Sequence, residues 1–210
     1  MDLPELQSYE RYVGADLRVR PDYISAPGRT SWPTIPGSIT GYDYSQDGAY
    51  FLTLVTQDRA HRFGEIIEQQ MILNRPGQIM LDWWTELPTK FPSISLGAHV
   101  LMPNHLHGVI AIQNRDEPDL RQTPRSAPTI SGQRLHAAIP QIVQWFKTMT
   151  TNSYIRGVRE SGWLPFNGRL WQRGYYEHVV RNAGDYERIY DYIECNPARW
   201  SEDKENSPLI

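Results

Sequence analysis

Val100-Leu101-Met102-Pro103-Asn104-His105-Leu106-His107-Gly108-Val109-Ile110-Ala111-Ile112 is the stretch whose reading decides the fold. Apolar residues flank it on both sides. It predicts two strands running through a core, joined by a turn at Pro103 and Asn104. Side chains alternate faces along a strand, so His105 and His107 share one face and Leu106 points to the other. Two imidazoles side by side on a sheet face make half of a metal site. Two satisfied core histidines would show the same spacing.

Working outward, Ser93–Met102 alternates as one strand and Asn104–Ile112 as the next. Upstream, Ala49–Thr56 is β-branched and aromatic, a first strand. Residues 64–74 predict a small ribbon ending in the turn Asn74-Arg75-Pro76-Gly77. Ile79, Leu81, Trp83, Trp84 and Leu87 predict a helix over 78–91, closed by Pro92. Downstream, Pro140 suits a helix start, and Ile142, Trp145, Phe146 and Met149 mark its buried stripe. Gly157–Arg169 reads as a loop and Leu170–Arg181 as a fourth strand. Asn182 or Asp185 then caps a last helix that runs to about Asn196 and stops at Pro197. The order is β, α, β, β, α, β, α. This predicts an α+β chain of ferredoxin-like βαββαβ plan, with an antiparallel central sheet and an added C-terminal helix. The expected organisation is an extended arm at 1–47, one domain at 48–200 with a long flexible loop at 114–138, and a charged, fraying tail at 201–210.

Bulk properties narrow the function classes. The chain has 210 residues, 40% hydrophobic and 11% aromatic, enough for one real core. Its single cysteine, Cys195, excludes an internal disulfide. Met1–Ser8 has neither a basic nor an apolar signal region, and no apolar run has the length a membrane span needs. The expected location is the cytoplasm, with no membrane partner. A net charge of −3 argues against an indiscriminate polyanion binder. Only Lys90, Lys147 and Lys204 are lysines; the other cations are arginines, whose planar fork suits phosphates and stacks on bases. An arginine-preferring genome would leave the same bias.

The last helix carries further chemistry. Tyr186, Ile189, Tyr190 and Ile193 follow helical spacing and predict its buried stripe. Tyr192 falls off that stripe and shares a face with Asn196, four residues on. A tyrosine there could be a nucleophile toward a metal-held phosphate, with Asn196 lending its carbonyl oxygen to the ion. Asparagine oxygen with two imidazoles suits Mg²⁺ or Mn²⁺. Ordinary helix packing would also explain Tyr192.

These pieces together resemble one family. His105-Leu106-His107 after Met-Pro-Asn looks like the HUH motif, two histidines around one hydrophobic residue. Trp171-Gln-Arg-Gly-Tyr-Tyr-Glu-His-Val-Val-Arg181 followed by Asp191-Tyr-Ile-Glu-Cys-Asn-Pro197 resembles the signature of the REP-associated tyrosine transposases, single-tyrosine HUH transposases of small insertion sequences. Residues 151–157 and 166–172 also look like this family, and the likeness runs from about Gly41 to Trp200. His-x-His alone is a weak signal; these elements in this order are a specific one.

The resemblance implies a ferredoxin-like HUH domain. His105 and His107 would hold Mg²⁺ or Mn²⁺, Asn196 would be the third ligand, and Tyr192 on the C-terminal helix the nucleophile. The substrate would be single-stranded DNA near an imperfect palindrome that folds as a hairpin. Arg173, Arg181, Lys147, Arg156 and His178 are the candidate DNA contacts, and the protein would act as a monomer or homodimer. The implied reaction is metal-assisted attack by Tyr192, giving a 5′-phosphotyrosine link and a 3′-OH that can later rejoin strands. The alternatives are a domesticated DNA-binding protein of the same fold and a metal-dependent phosphodiesterase that uses water.

Overall fold

The computed structural model describes residues 47–113 and 138–206. The arm at 1–47, apart from Asp47, and the loop at 114–138, apart from Ala138, lie outside these residues. Strand β1 (Gly48–Val55) is buried along nearly its whole length, as its almost unbroken apolar run requires of a central strand. A two-stranded ribbon, β2 (Gly64–Ile67) and β3 (Gln70–Leu73), precedes helix α1 (Arg75–Thr85) and the single turn α2 (Leu87–Lys90). Strands β4 (Ile94–Leu101) and β5 (His105–Ile112) come next, then helix α3 (Ile139–Ser161), strand β6 (Tyr176–Val180) and helix α4 (Ala183–Cys195). A 3₁₀ helix, Pro197–Glu202, follows α4.

The four-stranded sheet has the order β4-β5-β1-β6, every neighbouring pair antiparallel. With α1 after the first of these strands and α3 before the last, this is the expected ferredoxin-like plan. Tyr50, Leu52, Leu54, Leu106 and Ile110 face α1 and α3 and build the main core with Trp84, Phe146 and Tyr154. The other face carries Phe51, Val109 and Val180, which pack with Ile189 and Ile193 of α4. The sheet is therefore sandwiched, and the histidine face of β5 lies on the α4 side. Among the described residues no helix is long and apolar enough to cross a membrane.

Several local expectations are corrected. Asn74-Arg75-Pro76-Gly77 is a helix start: Asn74 caps α1 by accepting from the Gly77 amide at 2.9 Å, and Pro76 sits in the first turn, where it gives up no needed hydrogen bond. The helix predicted over 78–91 is thus two, split at Glu86. Gly157 does not end α3. A Cβ there would lie 2.2 Å from the Trp163 ring, so this glycine is a packing notch, and the helix ends at Gly162 in the left-handed region (φ 67°). The fourth strand is shorter than predicted because the carbonyls of Gln172, Arg173 and Gly174 all accept from the Lys147 ammonium, at 2.8, 3.3 and 2.8 Å. Only the Thr56–Trp171 bridge remains of its first half.

From Ser201 to Asn206, the last described residue, the tail is held in place. Asn104 Nδ2 donates to the Glu205 carbonyl at 2.7 Å, and Arg59 pairs with the Glu205 carboxylate at 3.2 Å. Trp200 packs near the rings of His61 and His105.

Candidate active site

Strand register builds the site. Thr53 of β1 stands opposite His107 of β5, and Val55 opposite His105. Paired residues share a face, so Thr53 Oγ1 reaches His107 Nδ1 at 2.8 Å. His105 is fixed by its own neighbour. Asn104 is fully buried and spends both amide hydrogens, on the Arg59 carbonyl at 2.8 Å and on the Glu205 carbonyl. Its Oδ1 must therefore accept, and its partner is His105 Nδ1 at 2.9 Å. The His105 proton lies on Nδ1, which leaves the lone pair on Nε2. That nitrogen is buried and has no hydrogen-bond partner.

Burial pulls both imidazoles below their ordinary range. His105 is lowered to about 4, chiefly by burial, against the attraction of Asp203. His107 is lowered well below the usual value, by burial first and then by His105. Both are neutral at pH 7, as metal-ligating imidazoles must be.

Helix α4 brings the third part. Tyr192 is 40% exposed, and its hydroxyl lies 3.2 Å from His107 Nε2. Burial, then Asp203, raises the phenol's pKa further, so Tyr192 is protonated at neutral pH. Tyr186 and Tyr190 are half-buried, Tyr186 packing with Ile189 and Ile193 and Tyr190 lying beside Tyr186.

Asn196, at the end of α4, is buried beside both His105 and Tyr192. Its Nδ2 donates to Asp203 Oδ2 at 3.2 Å, and its Oδ1 is buried without a partner. Asp203 is the residue that sequence reasoning missed. Its Oδ2 is 3.9 Å from His105 Nε2, and one ligand atom each from His105, His107 and Asp203 lie within 4.8 Å of one another. The tail's Trp200 was the available signal, since a large aromatic three residues upstream anchors a segment that would otherwise fray. Two neutral nitrogen donors, a carboxylate and an orphaned amide oxygen fit a divalent cation, and buried lone pairs without donors are costly unless something electropositive meets them.

The remaining candidates are dispersed. Lys147 spends its ammonium on three carbonyls, and burial lowers its pKa to about 8. His178 donates to Asp185 at 2.9 Å and ties β6 to the first turn of α4. Arg156, Arg173 and Arg181 are exposed, and none of them lines the cleft of about 530 Å³ that opens on Tyr192. Arg173 and Lys147 line a separate groove between α3 and the segment before β6.

No family model matches the chain. An uncharacterized protein of Haemophilus influenzae is 35% identical over 168 residues, spanning 78% of this chain and 87% of that protein. A second protein of that organism, provisionally named a REP-associated tyrosine transposase, is 22% identical over 163 residues, 75% of this chain and 74% of its own. A solved REP-associated tyrosine transposase bound to a REP hairpin superimposes with a TM-score of 0.48 at 19% identity, covering 80% of this chain and 76% of that one. The chain is thus similar in sequence to a protein provisionally named a REP-associated tyrosine transposase, and it belongs to one family with the uncharacterized Haemophilus influenzae protein that matches most of its length.

Proposed function

We propose that the chain is a DNA transposase of the single-tyrosine type, cutting and rejoining single-stranded DNA at or near a hairpin through a 5′-phosphotyrosine link. One observation carries this reading. The Tyr192 hydroxyl lies 3.2 Å from the Nε2 of one of two paired, neutral imidazoles, within a cleft open to solvent. A partly exposed phenol beside two buried histidines and a carboxylate suits a nucleophile that must meet both a metal-held phosphate and solvent.

In this reading His105, His107 and Asp203, with Asn196 beside them, would hold Mg²⁺ or Mn²⁺. Such an ion would supply Lewis-acid polarisation of a phosphodiester and neutralise its developing charge. Tyr192 Oη forms a bond to phosphorus as the P–O3′ bond breaks. The phenol loses one proton and the released 3′ oxygen gains one, so none is consumed. The phosphodiester energy stays in the Tyr192 ester, and a 3′-OH can reverse the step without ATP. Thr53 and Asn104 orient the two imidazoles through their Nδ1 atoms, as outer hydrogen bonds do at metal sites. We assign residues 48–200 to this catalytic domain and add Asp203 to it.

The test is incubation of labelled single strands carrying a hairpin with Mn²⁺, read on a denaturing gel. The parent protein forms a protein–DNA adduct, and EDTA, His105→Ala or His107→Ala abolishes it. Cleavage without an adduct would instead support a water-using phosphodiesterase. Hairpin binding with neither adduct nor cleavage would support a domesticated DNA-binding protein.

A further inference from the structure

One row of the sheet runs from the histidine site to the open edge. His107 on β5 pairs with Thr53 on β1, and Thr53 pairs with Tyr176 on β6. Paired residues share a face, so Tyr176 projects on the same side as His107, two strand spacings away, about 10 Å. Strand β6 is an edge, and Tyr176 is 56% exposed at the rim of the cleft that opens on Tyr192. Phe51, in the next row, touches both ends of this path. Its ring lies 6.3 Å from that of Tyr176 and 6.1 Å from that of Tyr192.

The lining of the cleft is unusual for a nucleic-acid site. Among the described residues it carries Phe51, Tyr175, Tyr176 and Tyr192, and a single lysine or arginine, Lys204. Glu205 lines it as well, and the whole chain is acidic at −3. Phosphate contacts alone give little attraction there. An exposed ring at the rim, backed edge-on by a second ring, offers a π-face instead. Stacking of that kind accepts any base and needs no charge.

We propose that Tyr176 is a stacking platform for a nucleobase of the strand that Tyr192 attacks, so that affinity in this cleft comes from ring stacking more than from phosphate contacts. This inference rests on the proposed transposase reading. The ligand is an unpaired base within a nucleotide or two of the scissile phosphate, and base identity matters little.

The experiment is a scan of hairpin-bearing single strands in which each unpaired nucleotide in turn is made abasic, bound to the parent protein, Tyr176→Ala and Tyr176→Phe. Binding is followed by fluorescence anisotropy at 50 and 200 mM salt, with adduct yield measured in parallel. For the parent protein one abasic position weakens binding by about 5- to 150-fold, the range of one base–aromatic stack. Tyr176→Ala weakens the intact strand by a similar factor and no longer responds to that abasic position. Tyr176→Phe behaves as the parent, and the factor does not change with salt. Equal binding by parent and Tyr176→Ala, or an abasic effect that persists in Tyr176→Ala, overturns the platform while adducts through Tyr192 keep the transposase reading standing. No adduct from the parent protein overturns that reading, and the platform with it. A Tyr176→Ala protein that loses only self-association, with DNA binding intact, assigns this edge to a second copy of the chain and also overturns the proposal.

Discussion

Replacing Asn104 should damage fold and metal site together, and a second variant separates the two effects. Asn104 is fully buried and makes three hydrogen bonds: to the carbonyls of Arg59 and Glu205, and from His105 Nδ1. At about 0.5–1.5 kcal/mol net each, Asn104→Ala should cost ~1.5–4.5 kcal/mol in urea unfolding of the metal-free protein. It also frees the His105 ring to turn and to move its proton, so Mn²⁺ affinity should fall roughly 10- to 100-fold. Loosening of the tail, and with it of Asp203, would contribute to the same fall, since Asn104 anchors Glu205. Asn104→Asp isolates the cause. It keeps an oxygen for His105 Nδ1 but sets oxygen against the two carbonyls, so the tail anchor is lost and the imidazole stays oriented. Asn104→Asp should therefore unfold at least as readily as Asn104→Ala, since its buried carboxylate faces two carbonyl oxygens, yet bind Mn²⁺ more tightly than it. Calorimetric titration of Mn²⁺ at pH 7.5, on samples shown folded by circular dichroism, is the assay. A folded Asn104→Ala that binds Mn²⁺ like the parent would refute the tautomer argument. Equal weakening in both variants would shift the cause to the tail.

Tyr192→Phe removes a partly exposed hydroxyl with one hydrogen bond, so stability should change by at most about 1 kcal/mol while adduct formation disappears. Tyr190→Phe should keep the adduct, and the reverse pattern on the gel would reassign the nucleophile. Gly108→Ala places a methyl 2.3 Å from the Trp84 ring in the main core and should cost about 1–3 kcal/mol; a midpoint within error of the parent would contradict this packing. In metal-free protein, His105 binds its proton near pH 4 when folded and near 6.5 when unfolded, and His107 is shifted the same way. Between those values the unfolded chain holds more protons, so stability should be full above about pH 6.5 and decline toward pH 4. A flat urea midpoint across that window would show that these histidines are not buried as neutral groups.

The fold was largely legible from periodicity. The apolar run of β1, the alternation around His105 and His107 and the helical stripe of α4 each follow from which residues one element must bury. Three of the errors share one cause: a residue's local preference was satisfied by a partner outside its own element. Gly157 reads as a helix stop until Trp163 lies across it. The segment 170–175 reads as strand until Lys147 takes its carbonyls. The tail reads as fraying until Asn104 and Arg59 hold Glu205.

The sequence by itself determined that His105 and His107 share a strand face and that Tyr192 and Asn196 share a helix face, because both spacings are properties of a single element. Only the tertiary structure decided that these two faces meet, with the Tyr192 hydroxyl 3.2 Å from His107. It alone brought Asp203 to the histidines and gave Asn104 the partners, 45 and 101 residues away in the chain, that dictate which nitrogen of His105 carries the proton. The physical reason is range. Periodicity encodes which side of an element is buried, whereas the identity of what it is buried against depends on register and on chain closure over long separations, and no local pattern records those.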